Sequence, residues 1–430
     1  MIITISALVL AVSALIALLG SRVSLVSLLV VQLTASFFGM WLLVTSGHIA
    51  PSILWMYGLG LAGLVTGGVL ATLRNPPVES VRARNAGLSD AVVWSVIVVS
   101  AAMASYHLLR AGIPIFSSDV EIERFDFTSS GLFGIPGRMY LFGVKIAWIV
   151  ASANAAVLRI PWTRYRPWWG ASAALLAISL LSGFKGQIPA LAGIALMVWI
   201  MTHRDRLTYW SVVRRFWPVA VAAVGYFLLV AGQYGTYQDS RQSVLQSSWE
   251  RWTTGSAQAP SIALGGHFAY LPGNSLVNDF LYYAQRYAGI GPGAPYSVDR
   301  AVSASITHAN PASSDWVVPV TVGGYSELVL ACGIPLAIAA MVAIGWYLGA
   351  LKKAPMGGPL RLAIRIVIVS VIMTFVVKGG LVYAVVNWTA VAVILFGVGA
   401  VAHALFDRPR VVPKDRRPSA EPPKRTAVAR

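Results

Sequence analysis

Lys185 stands in the run Leu181-Ser-Gly-Phe-Lys-Gly-Gln187, between two short apolar stretches. An ammonium group this close to hydrocarbon is costly unless it snorkels to the interface or serves a function. Flanking glycines at 183 and 186 would let a phosphate approach the backbone beside it, so anchor and anion site are both open readings. Lys378 precedes Gly379-Gly380 at the end of a second apolar run, and Lys145 falls inside a third. With Arg124, Arg138, Arg241, Arg251, Arg286 and Arg300, these cations could line a cavity suited to a diphosphate, since guanidinium groups match phosphate oxygens two at a time. Structural pairing with nearby carboxylates is the other fate open to each arginine.

A group that takes a proton is the natural complement. His308, in Thr307-His-Ala-Asn-Pro311, could do so as a neutral imidazole, or could simply form hydrogen bonds. Asp119, Glu121, Asp315 and Glu327 are the rival bases. The Asp119/Glu121/Glu123 group is weak as a metal site, because its spacing is that of a surface helix. The sequence holds no Walker loop, no His-Glu-x-x-His, no Cys/His cluster and no Gly-x-Ser-x-Gly elbow. Neither a metal nor a cofactor is expected.

The elements that must position these residues are set by composition. The 430-residue chain is 57% hydrophobic and 11% charged, against roughly 25% charged in soluble domains. Its apolar surface is therefore expected to face lipid. About 20 apolar residues cross a bilayer core, and on that measure about eleven runs qualify: 2–20, 24–45, 51–73, 91–109, 138–158, 168–183, 187–202, 216–232, 319–349, 362–378 and 382–402. The first begins at Met1 with no basic residue before Arg22, unlike a cleaved leader, and is expected to be retained. The single cysteine, Cys332, lies in an apolar run and is expected to pack there.

The fold class expected is an all-α polytopic membrane protein. Placing the 74–90 loop in the cytoplasm puts the amino terminus outside and the carboxyl terminus inside. Arg22, Arg74, Arg82, Arg84, Arg159, Arg164, Arg166, Arg204, Arg206, Arg214, Arg215, Lys352, Lys353, Arg361, Arg365 and the basic tail are then cytoplasmic. The other basic residues are balanced by outer carboxylates, so the whole net charge of +17 lies inside. In this setting the charge gives no reason to expect nucleic acid. Residues 1–402 form the membrane domain, and 403–430 a basic cytoplasmic tail expected to be disordered against anionic membrane lipids.

Two outer loops stand apart, at 110–137 and 233–318. In the first, Ser118 with Glu121 fits a capping box for a short helix over Asp119 to Phe125. The second is long enough to be functional and rich in aromatic residues. Asn274 could cap a helix carrying Leu276, Phe280, Tyr283 and Tyr287 on one face and ending at Gly289, and Asp239 to Trp252 is a second amphipathic stretch. Trp249, Trp252, Tyr270, Tyr282, Tyr283, Tyr287 and Trp316 suit either stacking on sugar faces or anchoring at the interface.

Gly112-Ile-Pro-Ile-Phe116 followed by Glu123-Arg124, then Ser182-Gly-Phe-Lys-Gly186, a large outer loop, and Gly323-Gly-Tyr-Ser-Glu327 leading to Gly333-Ile-Pro335 resemble elements of bacterial O-antigen repeat-unit polymerases, the Wzy type. The resemblance implies a GT-C-like fold and a metal-independent glycosyltransferase. Its substrates would be undecaprenyl-diphosphate-linked oligosaccharides at the outer face of the plasma membrane, and a flippase and a chain-length regulator of the same pathway would be its partners. The related O-antigen ligases carry a basic residue, a loop arginine and a histidine; by position these imply Lys185, Arg286 or Arg300, and His308. Lysine stands at the first position where arginine is usual.

Overall fold

The computed structural model describes residues 23–74, 87–117, 134–183, 187–202, 208–231, 246, 249–250, 254–266, 275–288, 297–307, 320–351 and 358–406. Its regular elements are helices: α1 (Leu25–Thr45), α2 (Pro51–Arg74), α3 (Asp90–Ala111), α4 (Ile135–Leu158), α5 (Arg166–Leu181), α6 (Gln187–Thr202), α7 (Tyr209–Ala231), α8 (Ser256–Gly265), α9 (Ser275–Ala288), α10 (Val298–Thr307), α11 (Gly324–Leu351), α12 (Pro359–Lys378) and α13 (Leu381–Phe406). Every apolar run read from the sequence after the first coincides with a helix, while the run 2–20 lies outside the described residues. Among the described residues, seven helices (α1 to α4 and α11 to α13) are long and apolar enough to cross a membrane.

The others fall short for identifiable reasons. α5 and α6 have 16 residues each, about 24 Å at 1.5 Å per residue, against a hydrocarbon core of about 30 Å. α7 starts with Arg214 and Arg215 in its early turns, and its apolar part is only Phe216–Leu228. All-α membrane architecture follows from the rest, because a helix satisfies its own backbone polar groups where water is absent.

The closest packing is between α2 and α11, where glycines let two backbones touch. A Cβ added at Gly67 would lie 2.0 Å from the Val342 carbonyl oxygen, and one at Gly345 would lie 2.1 Å from that of Leu64. Between hydrocarbon-bound helices such close approach replaces the missing hydrophobic drive with dispersion contact. α11 is broken at Gly333, whose φ of 80° and ψ of 168° are not helical, just before Pro335. Cys332, beside the break, is exposed rather than packed, and its thiol donates to the Leu328 carbonyl.

α9 forms over the segment expected for it, but its faces differ from those read in the sequence. Phe280 is 58% exposed and Val277 is also exposed, whereas Ser275, Asn278, Asp279, Tyr282 and Tyr283 are buried against the rest of the bundle. The helix hides polar and aromatic groups and shows apolar ones. That is the reverse of a helix in water and suits one whose outer side meets lipid. The proposed helix over Asp119 to Phe125, most of the stretch Asp239 to Trp252, and the tail beyond Phe406 lie outside the described residues.

Candidate functional site

Two glycine pairs build the frame of the site. At the end of α12, Gly379 and Gly380 have φ of 78° and 67°, values that only glycine adopts cheaply, and they turn the chain directly into α13. At the start of α11, Gly323 donates its N–H to the Lys378 carbonyl at 3.2 Å. A Cβ on Gly324 would sit 2.6 Å from the Phe375 carbonyl oxygen. The beginning of α11, the end of α12 and the beginning of α13 are thereby held at one place.

Glu327 uses that closeness. It is 2% exposed, and its carboxylate accepts the N–H of Gly380 at 2.5 Å and of Leu381 at 3.0 Å. It closes the amino end of α13, where first-turn N–H groups have no partner within the helix and the helix dipole favours negative charge.

α4 supplies cations to the same end. Arg138 is buried and donates from Nε to Asn387 Oδ1 at 2.9 Å, while the Asn387 amide donates to the Tyr383 carbonyl at 2.7 Å. The next five residues, Met139–Gly143, wind as a π-helix, a form frequent at functional sites. Lys145 follows, its ammonium 5.8 Å from the centre of the Phe142 ring. Lys145 and Lys378 are near enough to repel one another, and among the described residues neither meets a carboxylate.

From Phe142 a chain of rings leads to α9. Trp388 lies 5.2 Å from it and Tyr383 6.2 Å; Tyr283 of α9 is 5.7 Å from Tyr383, and Tyr282 is 5.0 Å from Tyr283. The Arg300 guanidinium of α10 sits 6.0 Å from the Tyr282 ring centre. Trp388 is 3% exposed, and among the described residues its indole N–H has no hydrogen-bond partner.

The α9 end of this chain is acidic. Asp279 of α9 accepts the Val298 N–H at 2.9 Å and so caps α10. Burial pushes its carboxyl up to about 8, helped by the charges of Glu327 and Asp299 and opposed by the Val298 hydrogen bond. Asp299 is also raised by burial, against hydrogen bonds from the Ser297 hydroxyl and the Arg300 N–H. Among the described residues no group of three His, Cys, Asp or Glu side chains is placed to hold a metal ion.

Of the residues singled out in the sequence, the structure brings Lys378, Lys145, Arg138, Arg300 and Glu327 to this one end. Arg286 lies on α9, with its side chain outside the description. Lys185, Arg124, His308, Asp119, Glu121, Asp315, Arg241 and Arg251 lie outside the described residues. Asp279, Asp299 and Asn387 are additions made by the fold. A signal for the first existed: Ser275, Asp279 and Tyr282 recur at spacings of four and three, a polar stripe within an amphipathic helix. Cations and carboxylates along one ring-lined path can stabilise a departing anion and accept a proton. No protein-family model, curated protein or solved structure matches the chain.

Proposed function

We propose that the chain polymerises undecaprenyl-diphosphate-linked oligosaccharide repeat units into a bacterial surface polysaccharide, by metal-independent glycosyl transfer at the outer face of the plasma membrane. The observation that carries this reading is the Lys145 and Lys378 pair, near enough to repel one another and, among the described residues, without an acidic partner, at one end of the chain of aromatic rings. A diphosphate placed between the two ammonium groups would relieve their repulsion. It gains charge as the glycosidic bond breaks, so preorganised cations favour the transition state over the ground state. The rings of Phe142, Tyr383 and Tyr283 offer faces for the sugars.

In this reading the chain crosses the bilayer about eleven times, amino terminus outside and carboxyl terminus inside, in a GT-C-like arrangement. Lys378, Lys145 and Arg300 face outward together with Lys185, Arg124, Arg286 and His308 of the remaining outer segments. Ligase-like transfer to another envelope acceptor uses the same chemistry. A transporter for lipid-linked glycans is the second reading, favoured by the break in α11 at Gly333, since discontinuous helices line the paths of many transporters.

The deciding experiment incubates the purified protein, in lipid and with EDTA, with undecaprenyl-diphosphate-linked repeat units and separates products by size. A ladder of longer glycans supports the polymerase. Intact substrate moved across the bilayer with no new linkage replaces it with the transporter.

A further inference from the structure

We propose that Asp279 of α9 takes the proton from the attacking hydroxyl, and that the Ser275 hydroxyl one turn away positions that hydroxyl. The inference rests on the glycosyl-transfer reading and deepens it by naming the proton acceptor.

The carboxylates at this end are not equivalent. Glu327 is committed to the backbone N–H groups of Gly380 and Leu381. Asp299 accepts two hydrogen bonds on one oxygen, from the Ser297 hydroxyl and the Arg300 N–H, and the Arg300 guanidinium partly offsets the effect of its burial. Asp279, 2% exposed, uses one oxygen for the Val298 N–H; its other oxygen accepts no hydrogen bond among the described residues. A second observation points to a ligand there. Ser275 lies four residues before Asp279, on the same helix face, 8% exposed, and its hydroxyl has no partner among the described residues. A buried hydroxyl without a partner costs about 1–3 kcal/mol, a cost that a ligand hydroxyl would remove.

The placement also fits the direction of the reaction. From Asp279 the rings of Tyr283, Tyr383 and Phe142 lead to Lys145, so a glycan lying on these rings would have its anomeric carbon between the proton acceptor and the lysines. In the step, the acceptor O–H bond breaks and its proton passes to the free Asp279 oxygen. The acceptor oxygen forms the new bond to the anomeric carbon. The bond from that carbon to the diphosphate breaks, and its electron pair leaves on the diphosphate, beside Lys145 and Lys378.

The groups facing Asp279 are Glu327 from α11, and Asp299 with its neighbour Arg300 from α10. With its carboxyl held at about 8, turnover of the wild-type protein should rise with pH through that value. The test is the size-resolved ladder assay on the full chain in lipid, with Asp279→Asn, Asp279→Glu and Ser275→Ala. Asp279→Asn should lower kcat about 10²–10³-fold with donor KM unchanged, abolish the rising limb, and be partly rescued in Asp279→Glu. Ser275→Ala should raise acceptor KM and leave the pH limb in place. If Asp279→Asn does not insert stably, the wild-type pH profile and Ser275→Ala decide. A wild-type ladder with kcat retained in Asp279→Asn, or no limb in the wild type together with a silent Ser275→Ala, overturns this assignment alone. The absence of any ladder from the wild type overturns the glycosyl-transfer reading and this inference with it.

Discussion

Glu327 and Gly380 are 53 residues apart in sequence and joined by a hydrogen bond in which the carboxylate accepts the glycine N–H. With the Leu381 N–H beside it, this contact fixes the start of α13 against the start of α11. It also decides where Tyr383, Asn387 and Trp388 stand.

Replacing Glu327 with alanine strands two buried N–H groups and should lower the unfolding free energy by about 2 kcal/mol. Glu327→Gln keeps a carbonyl acceptor and should lose about half as much. Thermal unfolding of the two variants in lipid nanodiscs checks the order; equal losses would mean that the contact is one of charge and not of capping.

Lys145→Met and Lys378→Met separate activity from stability. Each should reduce glycan polymerisation about 10²-fold, on the scale of oxyanion-hole deletions, while thermal stability holds or rises because a repulsion is removed. A fall in stability with activity intact would show the lysines to be structural.

The α2 and α11 contact gives a packing test. Gly345→Ala places a methyl group 2.1 Å from the Leu64 carbonyl oxygen and should cost about 3 kcal/mol. Gly397→Ala, where nothing lies within 4 Å, should be neutral or add up to about 1 kcal/mol of helix propensity. Parallel thermal melts read both.

Asp279 predicts how the docking of α9 depends on pH. A carboxyl lifted from 3.8 to about 8 holds its proton more tightly in the folded state. Its contribution is full below about pH 4 and is lost as the pH rises to about 8. Amide exchange in α9, corrected for intrinsic rate, should therefore be faster at about pH 9 than at about pH 6. The difference should vanish in Asp279→Asn.

The helices were legible because run length and hydropathy are local properties. The run 362–378 shows this plainly: it becomes α12 with Lys378 as its last residue. The sides of α9 were not legible in the same way: Leu276, Phe280 and Tyr283 read as one face by spacing, yet Tyr283 is buried and Phe280 exposed, because the surroundings of the helix and not its period decide which side is covered. The role of Glu327 was hidden for another reason. Its partners lie beyond a whole intervening helix, and nothing around Glu327 announces them. Arg138 was visible as a cation, but Asn387, its acceptor, reads in sequence as a lone polar residue in the apolar run 382–402.

That pairing has a consequence for biosynthesis. Asn387 is made 249 residues after Arg138, roughly 12–50 s later at translation rates of 5–20 residues per second. Throughout that interval the growing chain carries a guanidinium for which the Asn387 amide oxygen has not yet been synthesised. The contact therefore forms only after α13 leaves the ribosome, late in synthesis.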